Sequence, residues 1–310
     1  MGSYTDAHES LRIEFREKTR PFSDRPELMF DPVRSPYGPG DRAWAACTLA
    51  SKDLLPSSVQ VFDENEPVID TLPRYPSTLE PIDHAFGGFF GVTSLIAEPG
   101  IGKTMLAWAV ALQAAATQKW NVVYFGGELD EGEMIERRAR EMTQHPDAIE
   151  GADYLRMVQV GLGQTPFDFC VELAGLDPDL PILVVMDSIN TIATLAQRDY
   201  LRTLERYALW AMMARRLSRG AASFLLISET NKRGNSKGEK LEFWSDIAIH
   251  MGGKKDEAAV DFTIKKIRRG KWIPLGMFHR DWNSNRFYTG AQMRAMNQPR
   301  LYAVGDNVPF

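Results

Sequence analysis

Cysteine is nearly absent. The 310-residue chain has two, Cys47 and Cys170, far apart and with no C-x-x-C pair, which excludes a zinc module and a disulfide framework. Each reads as a small buried hydrophobe. Long apolar runs are missing too: none reaches the ~20 residues that a membrane span needs. The segment from Met1 to Lys18 is polar rather than signal-like, so a cytoplasmic protein with no membrane partner is expected. Nor is there a basic excess. A net charge of -5 and a pI near 5.7 argue against indiscriminate coating of nucleic acid, though local basic clusters could still line a groove. No internal repeat is visible. What remains is 44% hydrophobic and 25% charged, enough for one large α/β core plus appendages or for two modest domains.

Proline divides the chain. It recurs through residues 1–76, at positions that include 21, 26, 32, 36, 39, 56, 67, 73 and 76, so this part is expected to be an irregular arm that wraps rather than forms a core. Within it, Asp6 to Lys18 has a helical look, and a short helix around Trp44 to Leu55 and a strand around Val59 to Phe62 are plausible. From Ser77 the texture changes. Ser77-Thr78-Leu79-Glu80 has capping-box spacing and predicts a short helix to Phe86, stopped at Gly87-Gly88. Apolar runs at Val92–Ala97, Val122–Phe125, Tyr154–Val160, Ile182–Met186, Phe224–Ser228 and Ile247–Met251 alternate with helical segments. That alternation predicts a mostly parallel sheet sandwiched by helices, with functional groups beyond the strands' C-terminal ends. Phe262–Ile267 and Pro274–His279 could pair as an edge hairpin. A core over 77–280 and a tail over 281–310 complete the expected division.

The most informative stretch is Ala97-Glu98-Pro99-Gly100-Ile101-Gly102-Lys103-Thr104, which lies between an apolar, β-branched run and the Ala- and Leu-rich segment that starts at Met105. This is the spacing of a phosphate-binding loop. Gly100 and Gly102 let backbone N–H groups turn toward an anion, Lys103 supplies a point charge for the β- and γ-phosphates, and the Thr104 hydroxyl can ligate Mg²⁺. The first position holds Ala97 rather than Gly. Asp187 ends the apolar run from Ile182, where a carboxylate would sit beside the loop to hold the Mg²⁺ shell; alone, it would read as a helix N-cap.

Glu128 follows Val122–Gly127 just past a strand, where a water-polarising base would belong, while Asp130 and Glu133 already cap the next helix. A solvated acidic loop is the alternative. Arg233, Lys237 and Lys240 fall in a Gly-rich loop after Phe224–Glu229 that reads either as a mobile, phosphate-seeking loop or as a solvated turn. Lys266 and Arg268 are two apart on a strand and share a face, as a paired cationic finger requires, or as an edge strand guarded by charge would show.

Together these blocks, from about Thr78 to Phe278, resemble the RecA-type P-loop ATPase core shared by RadA branch-migration proteins, KaiC-like ATPases and DnaB-type helicases. The resemblance implies an ATP- and Mg²⁺-dependent hydrolase that forms a homo-oligomeric ring, a hexamer, and works on single-stranded nucleic acid, in the first place DNA. It also implies nucleotide binding by Ala97 to Met105, metal binding by Thr104 and Asp187, a catalytic role for Glu128, and a finger at Lys266-x-Arg268-x-Gly270 that reaches a neighbouring subunit's γ-phosphate. Arg233 to Lys240 would correspond to a central DNA-contacting loop. One departure stands out: Glu229 sits where helicase relatives tend to have Gln and RadA relatives His. The alternatives are a KaiC-like regulatory ATPase with a protein partner and an assembly protein with weak turnover.

Overall fold

The computed structural model describes residues 39–51, 72–117, 120–127, 130–144, 152–170, 173, 176–218, 220–230 and 241–297. The helix expected at Asp6 to Lys18 and the strand expected at Val59 to Phe62 lie outside them.

The apolar runs become the sheet. Strands β3 (Val92–Ala97), β4 (Asn121–Gly126), β5 (Leu155–Gln159), β6 (Ile182–Asp187), β7 (Ala222–Glu229) and β8 (Ile247–Gly253) run parallel in the order β8-β3-β7-β6-β4-β5. β3, β4 and β6 are buried along their whole length, as strands covered on both faces must be. Their side chains alternate between two layers. Tyr124, Leu183, Val185, Leu225 and Ile227 face one core, with helix α3 (Lys103–Thr117). Val123, Val184, Met186, Phe224 and Leu226 face the other, which helices α1 (Pro39–Ser51), α5 (Ile189–Leu195) and α6 (Tyr200–Leu217) cover.

Helix α1, expected around Trp44 to Leu55, runs from Pro39 to Ser51 and joins the core rather than wrapping it. Its small face of Ala43, Ala46 and Cys47 is buried against the sheet. Three long-range bonds fasten it: the Trp210 indole donates to the Cys47 carbonyl (2.9 Å), the Trp44 indole to the Cys170 carbonyl (2.9 Å) and Arg206 to the Ser51 carbonyl (3.1 Å). The helix begins at Pro39, whose missing N–H costs nothing in a first turn.

The short helix α2 (Glu80–Phe86) forms as expected, but not through the capping box. Its N-cap is Leu79, with no side-chain cap bond and Pro81 in the first turn. The Ser77 hydroxyl instead accepts from Leu79 N–H (3.0 Å), and Asp83 accepts from Ser77 N–H (2.7 Å). The two-residue strands β1 (Arg74–Tyr75) and β2 (Phe89–Phe90) pair beside it.

Beyond β8 the sheet turns antiparallel through β9 (Ala259–Ile267), β10 (Gly276–Asp281) and β11 (Arg286–Thr289). The expected pairing of β9 with β10 is there, although β11 and not β10 forms the edge, and within the expected tail residues 281–297 supply β11 and helix α8 (Gly290–Asn297). Phe287 draws them in, packing on Phe262 with ring centroids 5.1 Å apart. A boundary at 280 would cut through the β10–β11 hairpin.

One irregularity matters for function. Val260, Phe262 and Ile264 face the core, so strict alternation would turn Lys266 inward as well. A bulge intervenes: Ala248 opposes Lys266 while Ile249 opposes Ile264, leaving Lys265 as the extra residue. The bulge gives the core-facing position to Ile267 and turns Lys266 and Arg268 to the opposite face.

Candidate nucleotide site

The loop 97–104 leaves β3 at the C-terminal edge of the sheet and enters α3 at Lys103. Gly100 and Gly102 have φ of +82° and +105°, a backbone region that side chains rarely occupy. Space is also short there: a Cβ on Gly102 would lie 2.9 Å from the Phe287 ring, and one on Gly100 would lie 2.7 Å from Lys255 Cγ.

The expected phosphate and metal residues converge. Lys103 is buried, and its Nζ donates to the carbonyls of Ala97 (2.9 Å) and Glu98 (2.8 Å). The Thr104 hydroxyl donates to Asp187 Oδ1 at 3.2 Å, and the Tyr124 hydroxyl to Asp187 Oδ2 at 2.5 Å. Asp187 is also buried and is followed by a cis peptide bond. Ser188, not Asp187, caps α5 by accepting from Thr191 N–H, so the capping alternative for Asp187 falls away. Ile101 and Met105 seat the loop in the core, while Glu98, Pro99 and Gly100 form its exposed crest.

A cavity of about 650 Å³ opens over this loop, walled by Gly100, Lys103, Thr104, Asp187, Ser188 and Glu229, and by Arg137, Lys255 and Trp282. Glu229 ends β7, and its N–H donates to Asn190 Oδ1 (2.8 Å). Glu128, Arg233, Lys237 and Lys240 lie outside the described residues.

Several functional neighbours escaped the sequence reading. Tyr124, which orients Asp187, looked like one more strand residue; its polar tip at the strand's end was the available signal. Arg280, nearly inaccessible, ties three carbonyls together: Gly100 (2.8 Å), Lys255 (2.6 Å) and Glu257 (2.8 Å). Desolvation lowers its pKa from the ordinary arginine value. It thereby pins the phosphate loop to the turn between β8 and β9. Trp282, 55% exposed at the cavity wall, lies with its ring 3.7 Å from the Arg280 guanidinium carbon. A cation two residues before an exposed Trp was the only hint in the sequence.

Lys266 and Arg268 lie apart from this cavity. Lys266 Nζ donates to the carbonyls of Glu242 (2.8 Å) and Phe243 (2.6 Å), and Arg268 to that of Phe243 (2.8 Å). These carbonyls belong to helix α7 (Leu241–Trp244). Partial burial, then the Arg268 charge, lower the Lys266 pKa from the usual lysine value. Asp246 roots the strand: its carbonyl accepts from Arg268 N–H (2.8 Å) and its carboxylate pairs with Arg215 (3.3 Å).

No cluster of three or more His, Cys, Asp or Glu side chains that could hold a metal occurs among the described residues. A divalent ion at Thr104 and Asp187 would therefore have to be shared with phosphate oxygens, which suits Mg²⁺. The glycine loop, the buried lysine and the Thr–Asp pair together decide the type of site. The chain has a RecA-like P-loop fold. Residues 67–200 match the family described as AAA domain. No curated protein matches the chain significantly. Among solved structures, the chain is similar to a KaiC-like protein from Pyrococcus horikoshii, with TM-score 0.54 and 19% identity over 70% of this chain and 99% of that one. It is also similar to the ATPase domain of G40P, with TM-score 0.55 and 13% identity over 72% and 93%. A DnaB-like replicative helicase gives TM-score 0.54 and 15% identity over 73% of this chain and 65% of its own. The chain thus spans under two thirds of that helicase's length. No described helix is long and apolar enough to cross a membrane.

Proposed function

We propose that the chain is a Mg²⁺-dependent ATP hydrolase that works as a homo-oligomeric ring, a hexamer, and couples turnover to movement along or remodelling of single-stranded nucleic acid, in the first place DNA. The observation that carries the hydrolase reading is the Thr104–Asp187 pair directly behind a glycine loop with a buried lysine. Lys103 would leave its loop carbonyls for the β- and γ-phosphates. Thr104 and Asp187 would hold Mg²⁺, which when bound neutralises charge on those phosphates. Glu128 would orient a water whose oxygen attacks the γ-phosphorus. The bond to the β–γ bridging oxygen breaks, ADP departs with the electron pair, and the water's proton passes to Glu128 and then to solvent. Trp282 offers a flat face for the nucleobase.

Ring formation rests on the separation of Lys266 and Arg268 from their own chain's cavity: two cations turned off the core by a bulge suit a phosphate in a neighbouring copy. The nucleic-acid part rests on Arg233, Lys237 and Lys240. The test is the ATP hydrolysis rate with and without single-stranded DNA, with Lys103→Ala as the blank. Stimulation that vanishes in the blank supports the motor, whereas DNA-independent turnover refutes the coupling.

The acidic net charge favours a second reading, a KaiC-like regulatory ATPase acting on a protein partner. Charge reversal at Lys237 and Lys240 separates the two, since salt-dependent DNA binding is lost only if those residues touch phosphates. Glu229 keeps a third, an assembly protein with feeble turnover, within reach of the same rate measurement.

A further inference from the structure

Asp187 ends β6 with both oxygens engaged: Oδ1 accepts from the Thr104 hydroxyl at 3.2 Å and Oδ2 from the Tyr124 hydroxyl at 2.5 Å. The two donors differ in how firmly they are placed. Thr104 is short and stands in the first turn of α3. The tyrosine hydroxyl lies at the far end of a ring, where a small swing about χ1 becomes a displacement large enough to break a hydrogen bond. The backbone beneath that ring is held. Met134 of helix α4 (Glu131–Gln144) is buried over Gly126 at the end of β4, where a Cβ would lie 3.2 Å from its sulfur. The remaining freedom is that of the ring, and it must be restrained at its face.

Trp108 covers that face. The two rings are stacked with centroids 4.7 Å apart and planes 25° from parallel, and both side chains are buried. Trp108 also stands four residues after Thr104 on α3, so the two project from one face of the helix. The contacts close a circuit: Thr104 to Asp187, Asp187 to Tyr124, Tyr124 to Trp108, and Trp108 back along α3 to Thr104. A second observation concerns the indole itself. Its N–H is buried and has no hydrogen-bond partner among the described residues, whereas buried indoles usually find one. A phenylalanine or leucine would fill a core without stranding a donor. What the indole supplies here is a broad ring face against Tyr124.

We propose that Trp108 is a positioning residue for the metal: it holds the Tyr124 ring so that the hydroxyl turns the Asp187 carboxylate toward Mg²⁺ beside Thr104. This rests on the ATP-hydrolase reading. A carboxylate fixed before the ion arrives loses less freedom on binding it, which is why the groups behind metal ligands set affinity. Trp108 does not line the nucleotide cavity, so its effect falls on the metal and not on the nucleotide.

The test uses the full chain and measures equilibrium binding of the β,γ-imido analogue of ATP with and without Mg²⁺; the ratio of the two affinities reads the metal's contribution. In Trp108→Leu that ratio should fall about tenfold, with affinity in the absence of Mg²⁺ unchanged. Trp108→Phe keeps a ring face and should recover most of the ratio. In a Tyr124→Phe background, which keeps the stack but has no hydroxyl, Trp108→Leu should cost nothing further, because the route to Asp187 is already cut. A matching loss of metal-free binding would make Trp108 ordinary packing and overturn the proposal. So would a full tenfold loss in the Tyr124→Phe background, or a parental ratio in Trp108→Leu. Should Trp108→Leu not fold, Trp108→Met, which has no ring face, carries the same comparison. If the parent chain shows no Mg²⁺-dependent binding, the hydrolase reading falls and the positioning role with it, an outcome distinct from the other three.

Discussion

Lys103 and Lys266 both rest on backbone carbonyls of their own chain, yet their surroundings differ. Lys103 is buried at the sheet's parallel edge, with Thr104, Tyr124 and Asp187 already bonded to one another behind it. Lys266 stands on the antiparallel extension, partly open to solvent, with exposed Arg268 beside it, the carbonyls of a four-residue helix as hydrogen-bond acceptors and the Phe243 ring beneath its ammonium. This second cluster holds two cations side by side, with Asp246 and Glu242 as the acidic groups that act on Lys266. The difference teaches that the phosphate-loop half is tied together within the chain, while the Lys266–Arg268 half is the one that the proposed ring would complete.

The largest effect should come from separating the halves. Arg268→Ala is expected to slow hydrolysis about 10³–10⁵-fold if it acts as a finger, and Lys103→Ala to abolish it. Mixing the two inactive chains should restore a fraction of the parental rate, because Lys103→Ala subunits can lend their fingers to Arg268→Ala sites. A dead mixture would mean that the finger serves its own chain. Next in size is the root of the extension. Asp246→Ala strands the Arg215 guanidinium, whose pKa is lowered chiefly by burial, and is expected to cost about 3–5 kcal/mol in urea unfolding. On the closed side, Tyr124→Phe frees one Asp187 oxygen and should weaken Mg²⁺ binding to the nucleotide complex about tenfold or more, read by metal titration; unchanged affinity would show that the carboxylate orients itself.

The smallest effect concerns α2, whose Phe86 ring packs beneath Gly270 in the turn after the finger strand. Burial raises the Asp83 pKa above the ordinary carboxylate value, against opposing bonds from Ser77. The folded chain then holds the Asp83 proton to a higher pH than the unfolded chain does. The stability this group contributes is present below its unfolded pKa of about 3.9 and is lost as pH rises through the folded value. Asp83→Asn should gain stability relative to the parent as pH climbs from 3.5 to 7, measured as the difference in urea midpoints. A difference that shrinks instead would mean that the Ser77 bonds outweigh burial.

Much of the parallel half was legible because buried strands announce themselves as unbroken β-branched and apolar runs. The phosphate loop was equally plain, because its chemistry is local: four residues from Gly100 to Lys103 define it. What escaped depends on partners far along the chain. Arg280 reaches Gly100 across 180 positions, and nothing near Arg280 in sequence marks it as a loop tether. Helix α1 was expected around Trp44 to Leu55, but its start at Pro39 and its place in the core were not, because proline density reads as irregularity while its burial comes from small residues meeting Trp210. The bulge at Lys265 leaves no signature either. Lys266 and Arg268 were placed correctly on a common face, but which face was decided by a one-residue offset against β8.

Helix α1 sets a problem of timing during synthesis. Its Cys47 carbonyl waits for the indole of Trp210, 163 residues downstream. At the ribosome's pace of about 5–20 residues per second, roughly 8–30 seconds pass between the two. Throughout that interval the alanine-lined face has no α6 to cover it. The nascent chain thus carries a hydrophobic segment whose cover stays incomplete over those 163 residues, and its yield in a cell should depend on whatever holds that segment until α6 arrives.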